Sequence, residues 1–196
     1  DSVRHEIERR FLYPTLHEKQ GWKQNANNWN TWITTNWLQT VLICGQASKN
    51  EANSFDDESK AAFEGIKQCL RTFLKGYPDD GGCEEGVSYW DCAGASFFES
   101  LFFMQLAPEE ARLSLDAAQR KKVEAMGKFI TTMYIDNLNF VNFSDAQAHN
   151  VPNINILFPY GEYLGNEPMK QLAAYVGKTF DYLEKPSTLF LRSGNY

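Results

Sequence analysis

Two stretches gather most of the chain's candidate functional side chains. From Asn25 to Trp37 the sequence NANNWNTWITTNW holds five Asn and three Trp in thirteen residues. Neutral amides hydrogen-bond a carboxylate or a sugar hydroxyl, and flat indoles stack on sugar faces. The same residues also serve as a helix N-cap and as core. The second stretch, DDGGCEEGVSYWDCAG from Asp79 to Gly94, sets acids, glycines, Tyr89 and Trp90 on one turn. Gly-rich acidic segments are ordinarily solvated loops, whereas Tyr and Trp call for something to pack on.

A phenol is a poor base at neutral pH unless its site stabilises the anion. A place for Tyr89 at a helix start would do so through the positive end of the helix. Glu85 reads either as an orienting group for the loop or a substrate hydroxyl, or as a solvated acid. His149, in NFSDAQAHNVPN, reads as a proton carrier or as an exposed loop imidazole, with His17 a lesser candidate. The carboxylates Asp79 with Asp80, and Glu84 with Asp91, keep open a hydrolase working with an acid and a base. The chain has no nucleophile elbow, Walker loop or dinucleotide fingerprint, and no cofactor is expected.

These groups must be positioned by helices, because apolar residues recur at helical spacing and no long alternating run suggests a strand. Val3, Ile7 and Phe11 form a first stripe that should stop at Pro14. Ile33, Trp37, Leu38, Val41 and Leu42 form a second, from near Asn28 to Gly45–Ser48. Phe63, Ile66, Leu70, Phe73 and Leu74 form a third, with Asp56, Asp57 and Glu58 at its dipole-favoured start and Gly76-Tyr77-Pro78 as its stop. A fourth runs from Tyr89 to Phe102. A fifth, entered through Asp116, holds Val123, Met126, Phe129, Ile130 and Met133. Ile154–Leu164 is a weaker helix because Pro159 removes a mid-helix hydrogen bond, and the last begins at Asn166 with Pro168 early in it. The fold class is therefore all-α. Three long connections, Tyr13–Asn27, Gly76–Ser88 and Asp136–Pro152, should gather at one end of antiparallel helices and carry the function.

Composition bounds the partners. The 196 residues suffice for one domain with a real core. The net charge of −6 and the absence of a basic stripe argue against nucleic acid. No apolar run reaches the length of a membrane span. Asp1 opens directly into a helical pattern, so a secretion signal would have been removed or never present. Cys44, Cys69, Cys83 and Cys92 lack CxxC spacing, which speaks against zinc; buried free thiols are favoured over a Cys83–Cys92 bridge.

Three segments, NNWNTWITTNWLQTVLI, DGGCEEGVSYWDCAGASFFESL and NFSDAQAHNVPNINILFPYGEYLGNEPMKQLAAY, resemble in order the helical domain of the heparinase II/III-like polysaccharide lyases. The resemblance spans about Arg4 to Tyr175, and its most specific element is Glu-Gly-x-x-Tyr-Trp at Glu85–Trp90. It implies an incomplete (α/α) toroid of helical hairpins, followed in that family by a β-sandwich, and β-elimination at a uronic acid. Asn28 matches the position that neutralises the uronate carboxylate, and Tyr89 matches the catalytic tyrosine. Asn27, Trp29, Trp32, Glu85, Trp90 and His149 would contact substrate, the Trp rings as stacking or packing surfaces. Some relatives carry His after the Asn; Trp29 stands there in this chain and cannot take a proton, so the base must be Tyr89 or a His from elsewhere.

The resemblance further implies a secreted or periplasmic lyase on an acidic, uronate-containing glycan, glycosaminoglycan before alginate, with no metal or membrane. It also implies that residues 1–196, read as a single domain, are a fragment lacking opening helices and the sandwich. Two rival readings are an (α/α) glycoside hydrolase using Asp80, Glu85 or Asp91, and a carbohydrate-binding helical domain without chemistry.

Overall fold

The structure is a computed structural model that describes residues 2–47 and 56–180, including their side chains except those of 45–47. It is mostly helical, and its described residues form two compact units: one runs to Tyr77 and adds Glu99–Asp116, the other joins Pro78–Phe98 to the described residues that follow Asp116, up to Phe180. Among the described residues no helix is long and apolar enough to cross a membrane.

The first unit opens with α1 (Ser2–Ile7), a π-helical turn at Glu8–Leu12 and α2 (Tyr13–His17). Here the expected stop at Pro14 does not occur. Tyr13 N–H reaches back to Glu8 O, one residue further than in an α-helix. The wider turn sits just before the residue that has no N–H to donate, so the rod continues to His17. Val3 points outward, with 72% of its surface exposed, and is no part of the core. A 3₁₀ turn at Gly21–Gln24 leads to α3 (Asn28–Ala47); Ser48, the far limit expected for this helix, lies outside the described residues.

The main partner of α3 is α4 (Asp57–Gly76). Asp56 caps α4 by accepting the Ser59 N–H at 2.7 Å, and Tyr77 closes it as its C-cap. Trp37, Leu38, Phe63, Ile66, Leu70 and Phe73 are all essentially buried, each contributing roughly 1.5–3 kcal/mol relative to exposure. Gly65 is required at the crossing, because a Cβ there would lie 2.6 Å from the Trp37 ring. The N-terminal half of α3 buries a polar stripe as well. Thr35 Oγ1 bonds the Thr31 carbonyl and the Ser100 hydroxyl, each at 2.8 Å, so those groups are satisfied inside the protein.

The second unit contains α5 (Val87–Trp90), the start of α6 (Gly94–Met104), α7 (Ala117–Thr132), α8 (Ile154–Leu164) and α9 (Glu167–Thr179). The fourth helix expected from sequence is thus interrupted at Asp91–Ala93. The Asp91 carbonyl is taken by the Ser96 hydroxyl at 3.1 Å and its carboxylate by the Asn153 N–H at 3.3 Å, which sets the local path. α8 forms despite Pro159. The carbonyl deprived of its donor is that of Asn155, an exposed residue that water can serve. α9 begins as expected, with Asn166 accepting the Met169 N–H at 3.1 Å.

A small hairpin, β1 (Tyr134–Asp136) with β2 (Asn139–Phe140), lies where the sequence suggested only helix end and loop. Its turn residues Asn137 and Leu138 both have positive φ, 46° and 63°, as a two-residue hairpin turn requires. Leu138 is buried there, which offsets part of the strain. All four cysteines are buried free thiols, as expected. Burial pushes the Cys44 and Cys69 thiols up, which keeps them unreactive.

Candidate functional site

In the second unit, the Glu85–Trp90 turn and the 143–149 segment meet. The Gln147 N–H donates to Ser88 Oγ at 3.0 Å. Gly86, at φ 89°, lies so close that a Cβ would stand 2.4 Å from Ala146 Cβ and 2.7 Å from the Phe143 carbonyl oxygen. Two of the three connections expected to gather therefore do so; the third, Tyr13–Asn27, belongs to the first unit. Gly86→Ala combines a positive φ with this overlap, so a loss of about 1–3 kcal/mol is expected in a urea melt, together with displacement of the residues that follow.

Those residues carry Tyr89. It is half-buried, its N–H bonds the Gly86 carbonyl at 3.2 Å, and its carbonyl accepts from Cys92 and Ala93. The backbone is thus fixed on both sides, while no hydrogen bond from the Tyr89 hydroxyl is present among the described residues. The expected helix-end stabilisation of its anion is not what this geometry offers. α5 is only four residues long, and a dipole that sums over aligned peptides is small in one turn.

Trp90 takes the packing role, not the stacking one. It is 0% exposed, its Nε1 donates to the Met126 carbonyl at 2.7 Å, and its ring stacks on Tyr160 at 6.1 Å between centroids. No sugar can reach it. His149 is exposed and held by an isolated bridge to Asn139 and by the Phe140 N–H to Ala148 carbonyl bond at 2.7 Å.

Glu85 sits beside Glu84 and Asp145. Partial burial first, then these two like charges, raise its pKa. A carboxyl whose pKa is raised by folding stabilises the protein below its ordinary value, and that contribution is lost as pH rises through the raised one. Glu85→Gln should therefore raise the urea midpoint at pH 7 and leave it unchanged near pH 3. A lower midpoint at pH 7 would mean that the carboxylate makes a needed contact.

The aspartates of the same loop have structural tasks. Asp79 pairs with Lys122 at 2.7 Å, which holds its carboxyl below the usual range. Asp80 Oδ1 accepts the Gly82 N–H at 2.9 Å, a local turn bond. Asp91 anchors Asn153, as described.

In the first unit, Asn28 heads α3 with 9% of its surface exposed. Its Oδ1 accepts the Trp29 N–H at 2.8 Å. Asn27 is exposed, and its carbonyl accepts the Asn30 N–H at 3.0 Å. Trp29, 56% exposed, stacks on Trp32 at 5.8 Å and 30°, giving an aromatic face on the helix surface. Sequence reasoning missed Lys23. Its ammonium caps the Thr15 carbonyl and lies 5.3 Å from the Trp37 ring centroid, and burial lowers its pKa. The signal available was a single Lys among the tryptophans. It fixes the approach to the Asn-Trp cluster, since the Lys23 carbonyl accepts from Asn30 Nδ2 at 3.4 Å.

Among the described residues no three His, Cys, Asp or Glu side chains come together as a metal site. No family model matches the chain, and no curated protein matches it.

Proposed function

We propose that the chain works in a polysaccharide lyase of the heparinase II/III-like kind, secreted or periplasmic, that cleaves uronate-containing acidic glycans by β-elimination, with its helices arranged as hairpins of an incomplete (α/α) toroid. The observation that supports this reading is Tyr89, a half-buried phenol with an unengaged hydroxyl on a backbone fixed from both sides. Asn28 holds the carboxylate of the uronate and spreads the charge that builds when C5 loses its proton, as an oxyanion hole does. Tyr89 takes the C5 proton, a step for which the substrate complex must stabilise the Tyr89 anion, since the four-residue α5 does not. The electron pair forms the C4–C5 double bond, the C4–O bond breaks, and the same phenol returns its proton to the departing oxygen. No water is consumed, and the enzyme ends as it began.

Trp29 and Trp32 stack on sugar rings, with Asn27 at the rim. Glu85 and His149 meet hydroxyls, because the acids Glu84, Glu85 and Asp145 repel a polyanion. The test is a panel of glycosaminoglycans and alginate followed at the absorbance of unsaturated uronate ends. A rise with at least one glycan is expected. Saturated ends would replace this reading by hydrolysis, and binding without cleavage would replace it by a carbohydrate-binding domain.

A further inference from the structure

The first unit holds a cavity of about 340 Å³ that the lyase reading does not use. One wall is the rod of α1, the π turn and α2, which contributes Leu12 and Leu16. The floor is Trp37, Val41 and Cys44 of α3, and the far wall includes Ala62 of α4. Trp37 lies nine residues along α3 from Asn28, about 14 Å at the rise of an α-helix, so the cavity is distinct from the Asn28 entrance. Leu12 and Leu16 are only half-buried. The π turn broadens the rod where Glu8, Arg9 and Leu12 face the cavity, and such turns recur at functional sites.

Most charge at the mouth is matched within the protein. Arg4 Nε pairs with Glu8 at 2.8 Å and Arg9 with Glu6 at 2.8 Å, and Asp56 is engaged in capping α4. An anionic end would meet Glu8, Asp56 and Glu58 at the mouth, and a cationic end would meet Arg4 and Arg9 on the same rod. Of these groups only the Glu58 carboxylate has no ion pair or capping bond among the described residues, and it is exposed to water, where a pair with a cation is worth little, so neither charged end recovers the hydration it loses. The volume falls at the low end of small-molecule sites, and the apolar floor with a polar mouth is their usual make-up.

We propose that this cavity binds a small, neutral, largely apolar molecule with a hydroxyl or carbonyl at its outer end. The test titrates the full chain with 1-hexanol, hexanoate and hexylammonium, reading the Val41 and Ala62 methyl resonances. Saturable shifts with hexanol are expected, with both ions at least about tenfold weaker. Ala62→Met, which fills the cavity, should abolish the hexanol shift while keeping the melting temperature. Should that variant not fold, Leu16→Phe fills it from the opposite wall. Absence of saturable shifts, survival of binding in the filled variant, or tighter binding of either ion overturns the proposal. None of these outcomes bears on cleavage of a glycan.

Discussion

Tyr89→Phe is expected to lower turnover of the responsive glycan by about 10²–10⁴-fold with little change in stability. The phenol hydroxyl makes no hydrogen bond among the described residues, so its removal leaves no orphaned partner, and the ring that packs the turn is kept. In the proposed mechanism that hydroxyl both takes and returns the proton, so nothing on the ring of Phe can replace it. Asn28→Ala should cost about 10²–10³-fold through loss of one donor to the developing charge. Turnover retained in Tyr89→Phe with an unchanged urea midpoint removes Tyr89 from the chemistry.

Trp90→Ala is the largest expected effect on stability, about 3–5 kcal/mol, a large share of the 5–15 kcal/mol of a typical domain. The substitution empties a fully buried indole site, removes the ring stacked on Tyr160 and leaves the Met126 carbonyl without its donor. Tyr160 itself stacks on Phe98 at 4.0 Å and donates its hydroxyl to the Val123 carbonyl at 2.6 Å. The loss therefore reaches α6, α7 and α8 together. Trp29→Ala is the counterpart: at 56% exposure it should shift stability by no more than about 0.5 kcal/mol while weakening glycan binding. A urea melt and a binding titration on the two variants separate a packing tryptophan from a sugar platform. Equal destabilisation by the two would remove that distinction.

The all-α class, α4 with its Asp56 start and Tyr77 stop, α9 with Asn166 and Pro168, and the apolar faces of α3 and α4 were legible from spacing alone, because helical periodicity and capping are local. So was the burial of the thiols. What local pattern could not supply came from contacts distant in the chain. Pro14 looked like a stop because a proline removes a hydrogen bond, yet a π turn upstream shifts the pairing and the rod goes on. The β1–β2 hairpin has strands of three and two residues, too short for a period-two signal, and its register depends on the extended 148–150 segment beside it.

The two aromatic residues of the Tyr89-Trp90 pair are adjacent, and the sequence left Trp90 open between a stacking and a packing role. Only the tertiary fold parted them: Met126 and Tyr160, contributed by α7 and α8, bury the indole, while the clasp of Gly86 and Ser88 on Ala146 and Gln147 leaves the phenol half-exposed. Residue type and helical spacing are written in the sequence and act over a few neighbours. Which side of a turn faces water is set by elements tens of residues away, through burial and hydrogen bonds that no local pattern encodes.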